Sequence, residues 1–267
     1  EMYQHLIAPA AAEIASKKRL GIIATGVLNY IPFQLLGKTL ANGDFNLLVN
    51  QFAVFYVSST NILRLADAEK SMKIIAFGNP DKTLPSTERE VAEIKKLYPS
   101  SAVFLRDQAT EEKVKGAGED FTVMHFATHG NLDYEDFTQS FLTMAEGKDT
   151  NGDGKLTLEE LWGMEVMNHL DIVVLSACQT AVTKGSAESS PVSPASGFLQ
   201  NGVKSVVATL WKVDDEATSL LMTEFYKNMR TMATLDALRE AQISVSRNSK
   251  FQHPYYWAGA ILLGDWR

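Results

Sequence analysis

The sequence predicts an α/β protein in which helices pack against a mostly parallel sheet. Two observations carry this. Short apolar, β-branched runs recur along the 267 residues, and longer segments of helical periodicity lie between several of them. No internal repeat and no linker divides the chain, so residues 1–267 are expected to form a single domain. In order, the predicted strands are "RLGIIAT" (19–25), "FAVFYVSS" (52–59), "MKIIAFGNP" (72–80), "AVFLRD" (102–107), "FTVMHFATHG" (121–130), "LDIVVLSAC" (170–178), "VKSVVATLW" (203–211) and "WAGAILLGD" (257–265). A helix is predicted over 86–98, with Ser86 or Thr87 as its N-cap and Val91, Ile94 and Leu97 on one face. A second covers 215–230, where Ala217, Leu220, Leu221, Phe225 and Met229 form the apolar stripe, and a third covers 235–247. The stretch 183–196 is rich in Ser, Pro and Gly and has no apolar period, so it is expected to be the least structured.

Composition narrows the function. With 45% hydrophobic and 21% charged residues the chain is globular, and its net charge of −7 disfavours a nucleic-acid surface, which needs a basic face. One cysteine excludes an internal disulfide framework and fits a reducing, cytoplasmic compartment, and no apolar run is long enough for a membrane helix. The chain opens at Glu1 without an initiator Met or signal segment, which reads as a domain excised from a longer protein.

In an open parallel sheet, reactive groups collect beyond the carboxyl ends of the strands. "FTVMHFATHG" breaks at His129-Gly130, and "LDIVVLSACQT" breaks at Ala177-Cys178-Gln179. If these consecutive strands are neighbours, an imidazole and the lone thiol share one edge. An imidazole that takes the thiol proton makes a competent nucleophile and returns the proton to a leaving amine. The N–H groups of Gly130 and Cys178 are candidates to hold the oxyanion. His125, inside the strand, competes as the base but reads better as a buried support.

Seven segments share order and spacing with a known family: "IPFQLL", "IIAFGNP", "MHFATHG", "VVLSACQTA", "GFLQNGVKSVVATLWKVDDEAT", "FYKNM" and "HPYYWAGAILLGDW". Together they resemble the CHAT family, caspase-like domains often attached to tetratricopeptide repeats. The resemblance covers nearly the whole chain. It implies membership of the caspase–separase clan, a caspase-like three-layer sandwich, and a dyad with His129 as base and Cys178 as nucleophile, with no cofactor required for the chemistry. It also implies a cytoplasmic, prokaryotic antiviral-defence or cell-death effector that cuts protein substrates once an attached sensor or repeat domain releases it. The reading from another class is a calcium-binding or constitutive protein-interaction module that keeps the dyad with little proteolysis. A nucleotide-binding fold is disfavoured, because no Gly-rich loop follows the first strand.

Two further features bear on specificity and metals. After Trp211, a candidate cleft wall, Asp214, Asp215 and Glu216 follow a strand end, where carboxylates select a basic P1 side chain; they equally suit the start of the following helix as caps. "DTNGDGKLTLEE" (149–160) fits an EF-hand-like calcium loop, with Asp149, Asn151 and Asp153 at positions 1, 3 and 5, Gly154 at the turn, the Lys155 carbonyl, Thr157 and Glu160. Thr157 and Glu160 also read as a capping box for a helix beginning near Leu158, so a plain Asx/Gly turn is the alternative to Ca²⁺. The 183–196 stretch lies where caspase-like enzymes carry an activation loop, with Lys184 as a self-cleavage candidate and a solvated loop as the alternative.

Overall fold

The computed structural model describes residues 1–57, 72–133, 135–147, 152–164, 167–177, 180–181 and 193–267. Among these residues the helices are α1 (Met2–Leu6), α2 (Ala11–Ile14), α3 (Pro85–Leu97), α4 (Glu111–Lys115), α5 (Leu158–Gly163), α6 (Pro194–Gln200), α7 (Asp215–Asn228) and α8 (Thr234–Ser246). The strands are β1 (Arg19–Ile22), β2 (Gly37–Thr39), β3 (Phe45–Leu47), β4 (Ala53–Tyr56), β5 (Ile74–Gly78), β6 (Ala102–Leu105), β7 (Val123–Ala127), β8 (Gly130–Asn131), β9 (Phe141–Thr143), β10 (Lys155–Thr157), β11 (Ile172–Ser176), β12 (Ser205–Thr209) and β13 (Ala260–Gly264).

All eight predicted strands meet in one sheet of order β1-β4-β13-β12-β11-β7-β5-β6. Every neighbouring pair is parallel except β12 with β13. The sheet is therefore mostly parallel, but β13, β4 and β1 run opposite to the other five. Successive side chains of a strand point to opposite faces, and the runs obey this. Ile75, Phe77, Met124, Phe126, Val173 and Leu175 share a core with Leu158 and Leu161 of α5 and Phe198 of α6. Ile74, Ala76, Val123, Ile172 and Val174 share another with side chains of α3, α7 and α8. Strands buried on both faces need continuous apolar runs, as these have. The result is a three-layer α/β sandwich. Two small antiparallel sheets, β2-β3 and β10-β9-β8, lie outside the sequence expectations.

The start of α3 departs from expectation. Ser86 and Thr87 lie inside the helix, Leu84 occupies the N-cap without a side-chain bond, and Pro85 takes the first helical position. Proline suits that position because its missing N–H would be unpaired there anyway. The Ser86 N–H instead donates to Asp215 Oδ2 at 3.0 Å, so a carboxylate from α7 caps α3. At the other end of the stretch expected to be loose, Ser193 and Ser196 form a capping box and α6 begins at Pro194; Lys184 lies outside the described residues.

Gly264 ends β13 with φ of +96°, and a Cβ there would run into the Lys204 carbonyl oxygen and crowd Leu199. Neither the backbone conformation nor the space admits a side chain. Gly264→Ala is expected to lower unfolding stability by about 1–3 kcal/mol in a urea titration.

Candidate functional site

β7 and β11 are parallel neighbours, with Ala127 paired to Ser176. His129 and Cys178 each follow two residues after that matched pair. Cys178 and Gln179 lie outside the described residues, but both of their flanks are fastened to the neighbouring strand. Thr209, the last residue of β12, donates its hydroxyl to the Ala177 carbonyl at 2.6 Å. Its N–H donates to Thr180 Oγ1 at 3.2 Å, and its carbonyl accepts the Ala181 N–H at 2.9 Å. One residue thus anchors the chain on either side of the cysteine.

His129 stands just past β7, and its side chain is 33% exposed. The Thr143 N–H donates to the His129 carbonyl at 2.9 Å. This places Gly130, paired with Leu142, where antiparallel pairing leaves the N–H unengaged by β9. Across the sheet edge, the loop between β5 and α3 reaches the imidazole: Thr83 Oγ1 is 2.7 Å from His129 Nε2. Asp81 Oδ2 is 3.6 Å from the same nitrogen. Thr83 Oγ1 also contacts Asp81 Oδ1 at 2.9 Å and Oδ2 at 3.0 Å. Asn79 and Lys82 hold this loop in left-handed conformations, with φ of 49° and 65°. Asn79 is buried, donates its backbone N–H to the Ala127 carbonyl, donates Nδ2 to Glu88 and accepts the Leu84 N–H. Glu88 is held below the usual carboxylate range by hydrogen bonds from Arg106 and Asn79.

Beyond β12, Trp211 donates Nε1–H to the Tyr255 carbonyl at 2.9 Å and packs its ring over Gly259, where a Cβ would collide with it. Asp214 is the N-cap of α7 and accepts the Ala217 N–H at 2.9 Å. Asp215 bridges to Ser86 as described, and Glu216 pairs with Lys250. Ser176 Oγ is buried without a hydrogen-bond partner among the described residues.

The described part of the 149–160 loop, residues 152–160, is a capped turn. Gly154 takes φ of +79°, and Asp153 Oδ1 accepts the Lys155 N–H at 2.9 Å. Glu160 Oε2 accepts the N–H and hydroxyl of Thr157, completing the capping box of α5, while its Oε1 takes Lys115 Nζ at 2.8 Å. Burial acts to raise the Glu160 carboxyl, but Lys115 and Thr157 outweigh it and hold the group below its usual range. Glu111 beside them is pushed up by burial. The Glu160 carboxylate is thus shared between an ammonium and a helix cap. Among the described residues no three His, Cys, Asp or Glu gather as a metal site; Asp149 and Asn151 lie outside them.

His125 is fully buried under α3 and α7. Its Nε2 is 2.8 Å from Glu90 Oε1, without the alignment of a hydrogen bond. Its Nδ1 is 3.1 Å from the Tyr226 hydroxyl, which burial raises well above the ordinary tyrosine range and so keeps protonated. His125 therefore belongs to the core. Residue reading missed Asp81, Thr83, Asn79 and Thr209; of these, only Asn79, in "IIAFGNP", and Thr209, in "VVATLW", fall within segments the sequence marked.

A family model for the CHAT domain matches residues 1–265. Human tetratricopeptide repeat protein 28 is 24% identical over 324 aligned residues, an alignment covering 99% of this chain and only 13% of the human protein. Among solved structures, the Saccharomyces cerevisiae separase–securin complex matches 92% of this chain and 16% of its own, with a TM-score of 0.63 and 14% identity. The Arg-specific cysteine proteinase gingipain R matches 73% of this chain and 46% of its own, with a TM-score of 0.50 and 10% identity. At these identities the likeness is one of fold, the caspase-like sandwich.

Proposed function

The chain belongs to the CHAT domain family, and from that premise we propose that it is a cysteine endopeptidase in which His129 and Cys178 form the reacting pair. The observation that supports this most is the register: His129 and Cys178 follow at equal distance from paired residues on adjacent parallel strands. In the proposed reaction, the Cys178 thiolate attacks the scissile carbonyl and His129 carries the thiol proton to the leaving amine. Water then hydrolyses the thioester. The N–H groups of Gly130 and Cys178 hold the oxyanion. No step is routed through a cation.

Asp214 and Asp215 each spend one carboxylate oxygen on a helix cap, Oδ1 on the Ala217 N–H and Oδ2 on the Ser86 N–H, and we assign P1 recognition to this pair of acids, with Trp211 as a wall. A basic P1 side chain matches those acids. Substrates are extended protein segments. The human relative's name supports control by repeats attached to the catalytic domain, and the setting we propose is a prokaryotic defence or cell-death response.

Incubation with a peptide library, read by mass spectrometry, is expected to show cleavage after Arg or Lys in calcium and in chelator alike. Cleavage confined to calcium would reinstate the 149–160 loop as a regulatory site. No cleavage in any condition, including with repeat segments supplied, would leave an interaction module as the reading.

A further inference from the structure

We infer that Asp81, acting through Thr83, determines which nitrogen of His129 carries its proton, making Nε2 the donor and Nδ1 the base. The catalytic use of this arrangement rests on the peptidase reading; the proton placement rests on geometry alone. Thr83 Oγ1 lies 2.7 Å from His129 Nε2 and 2.9 and 3.0 Å from the two Asp81 oxygens. A hydroxyl has one proton to donate, and a carboxylate can only accept. If the hydroxyl donated to Nε2, two carboxylate oxygens would face its lone pairs with no proton between them. The hydroxyl proton therefore goes to Asp81, and Oγ1 accepts the Nε2–H. A neutral imidazole then has its lone pair on Nδ1, which has no partner among the described residues.

The proton inventory stays balanced through the reaction. The thiol proton passes to Nδ1, giving an imidazolium whose Nε2–H still rests on Thr83 and whose charge faces Asp81 Oδ2 at 3.6 Å. The Nδ1 proton then leaves with the amine, and Asp81 and Thr83 end as they began. They are positioning residues. Their placement does not depend on the imidazole, because the left-handed turns at Asn79 and Lys82 and the buried bonds of Asn79 shape the loop from behind. Strain held in this way is characteristic of sites where orientation matters.

The test is two-bond ¹H–¹⁵N correlation spectroscopy of the ¹⁵N-histidine-labelled full chain, with His129→Gln assigning the signals, alongside steady-state kinetics. The parent is expected to show the Nε2–H tautomer. Thr83→Val is expected to populate the Nδ1–H form and lower kcat about 10²-fold with KM little changed, and Thr83→Ser to restore both. Asp81→Asn, whose amide can donate to Thr83 and free its hydroxyl proton for Nε2, is expected to shift the same population. Thr83 and Asp81 are exposed or nearly so, and unchanged thermal melts check that the variants fold. A parent in the Nδ1–H form, or a Thr83→Val spectrum identical to the parent's, overturns the inference. The expected tautomers without cleavage of any peptide support it and count against the peptidase reading.

Discussion

Cys178→Ala and His129→Ala are each expected to lower kcat/KM for peptide cleavage by on the order of 10⁴-fold or more, and the double variant is expected to lose no more than the worse single one. The reason is that the two groups act as a unit. A thiol without a proton acceptor is only a few per cent thiolate at neutral pH, and an imidazole without a nucleophile has no proton to move. Residual turnover then comes from the oxyanion N–H groups and substrate binding, which both variants keep. Initial rates across the full double-mutant cycle give the result. Losses that multiply would mean that His129 and Cys178 act separately, and the register of β7 and β11 would have to be explained by packing alone.

Glu90→Ala is expected to lower unfolding stability by about 1–3 kcal/mol, because it leaves the buried His125 Nε2 without its polar neighbour. Glu90 and His125 are 1% and 0% exposed, so solvent cannot take the place of either partner. Replacing both, as Glu90→Leu with His125→Leu, is expected to recover most of that loss, since replacing both buried polar partners by apolar groups of similar shape is commonly near neutral. Urea melts of Glu90→Leu, His125→Leu and the double variant separate the cases. Two single-site losses that simply add in the double variant would show that packing, not the pair, holds this region. Tyr226 sits on the other ring nitrogen of His125, so Tyr226→Phe isolates that hydroxyl's part.

The six inner strands of the main sheet were legible because strands buried on both faces must be apolar throughout, and the edge strands β1 and β6, only half-buried, from their short β-branched or aromatic runs. Helices α7 and α8 were legible from period and composition, and the capping box at Thr157 and Glu160 from spacing alone. Strand direction was not: "WAGAILLGD" carries no mark that β13 runs against β12, since alternation is the same either way. The loop around Asp81 was hidden for a different reason. Its tie to His129 joins residues 46 apart, and "PDKT" by itself is an ordinary turn. The N-cap of α3 was misplaced because local rules favour Ser86 or Thr87, whereas the capping carboxylate comes from 129 residues further along. His129 and Cys178 stand as candidates on strand-end position and family resemblance, while the contacts around them are tertiary and wrote nothing into the local pattern.

The reversal at β13 also constrains the order of assembly. β4 meets β13 through Phe55 opposite Leu262 and Tyr56 opposite Leu263, so the first two strands of the sheet join the rest only through its last strand. During synthesis the parallel block from β5 to β12 is able to form first, while β4, paired with β1 alone, exposes an unpaired edge. Such distant pairing is slow and open to aggregation. The seam that closes the sheet is thus the one farthest apart in the sequence, and the strand leading to Cys178 gains its full sheet only when β13 slots between the two halves.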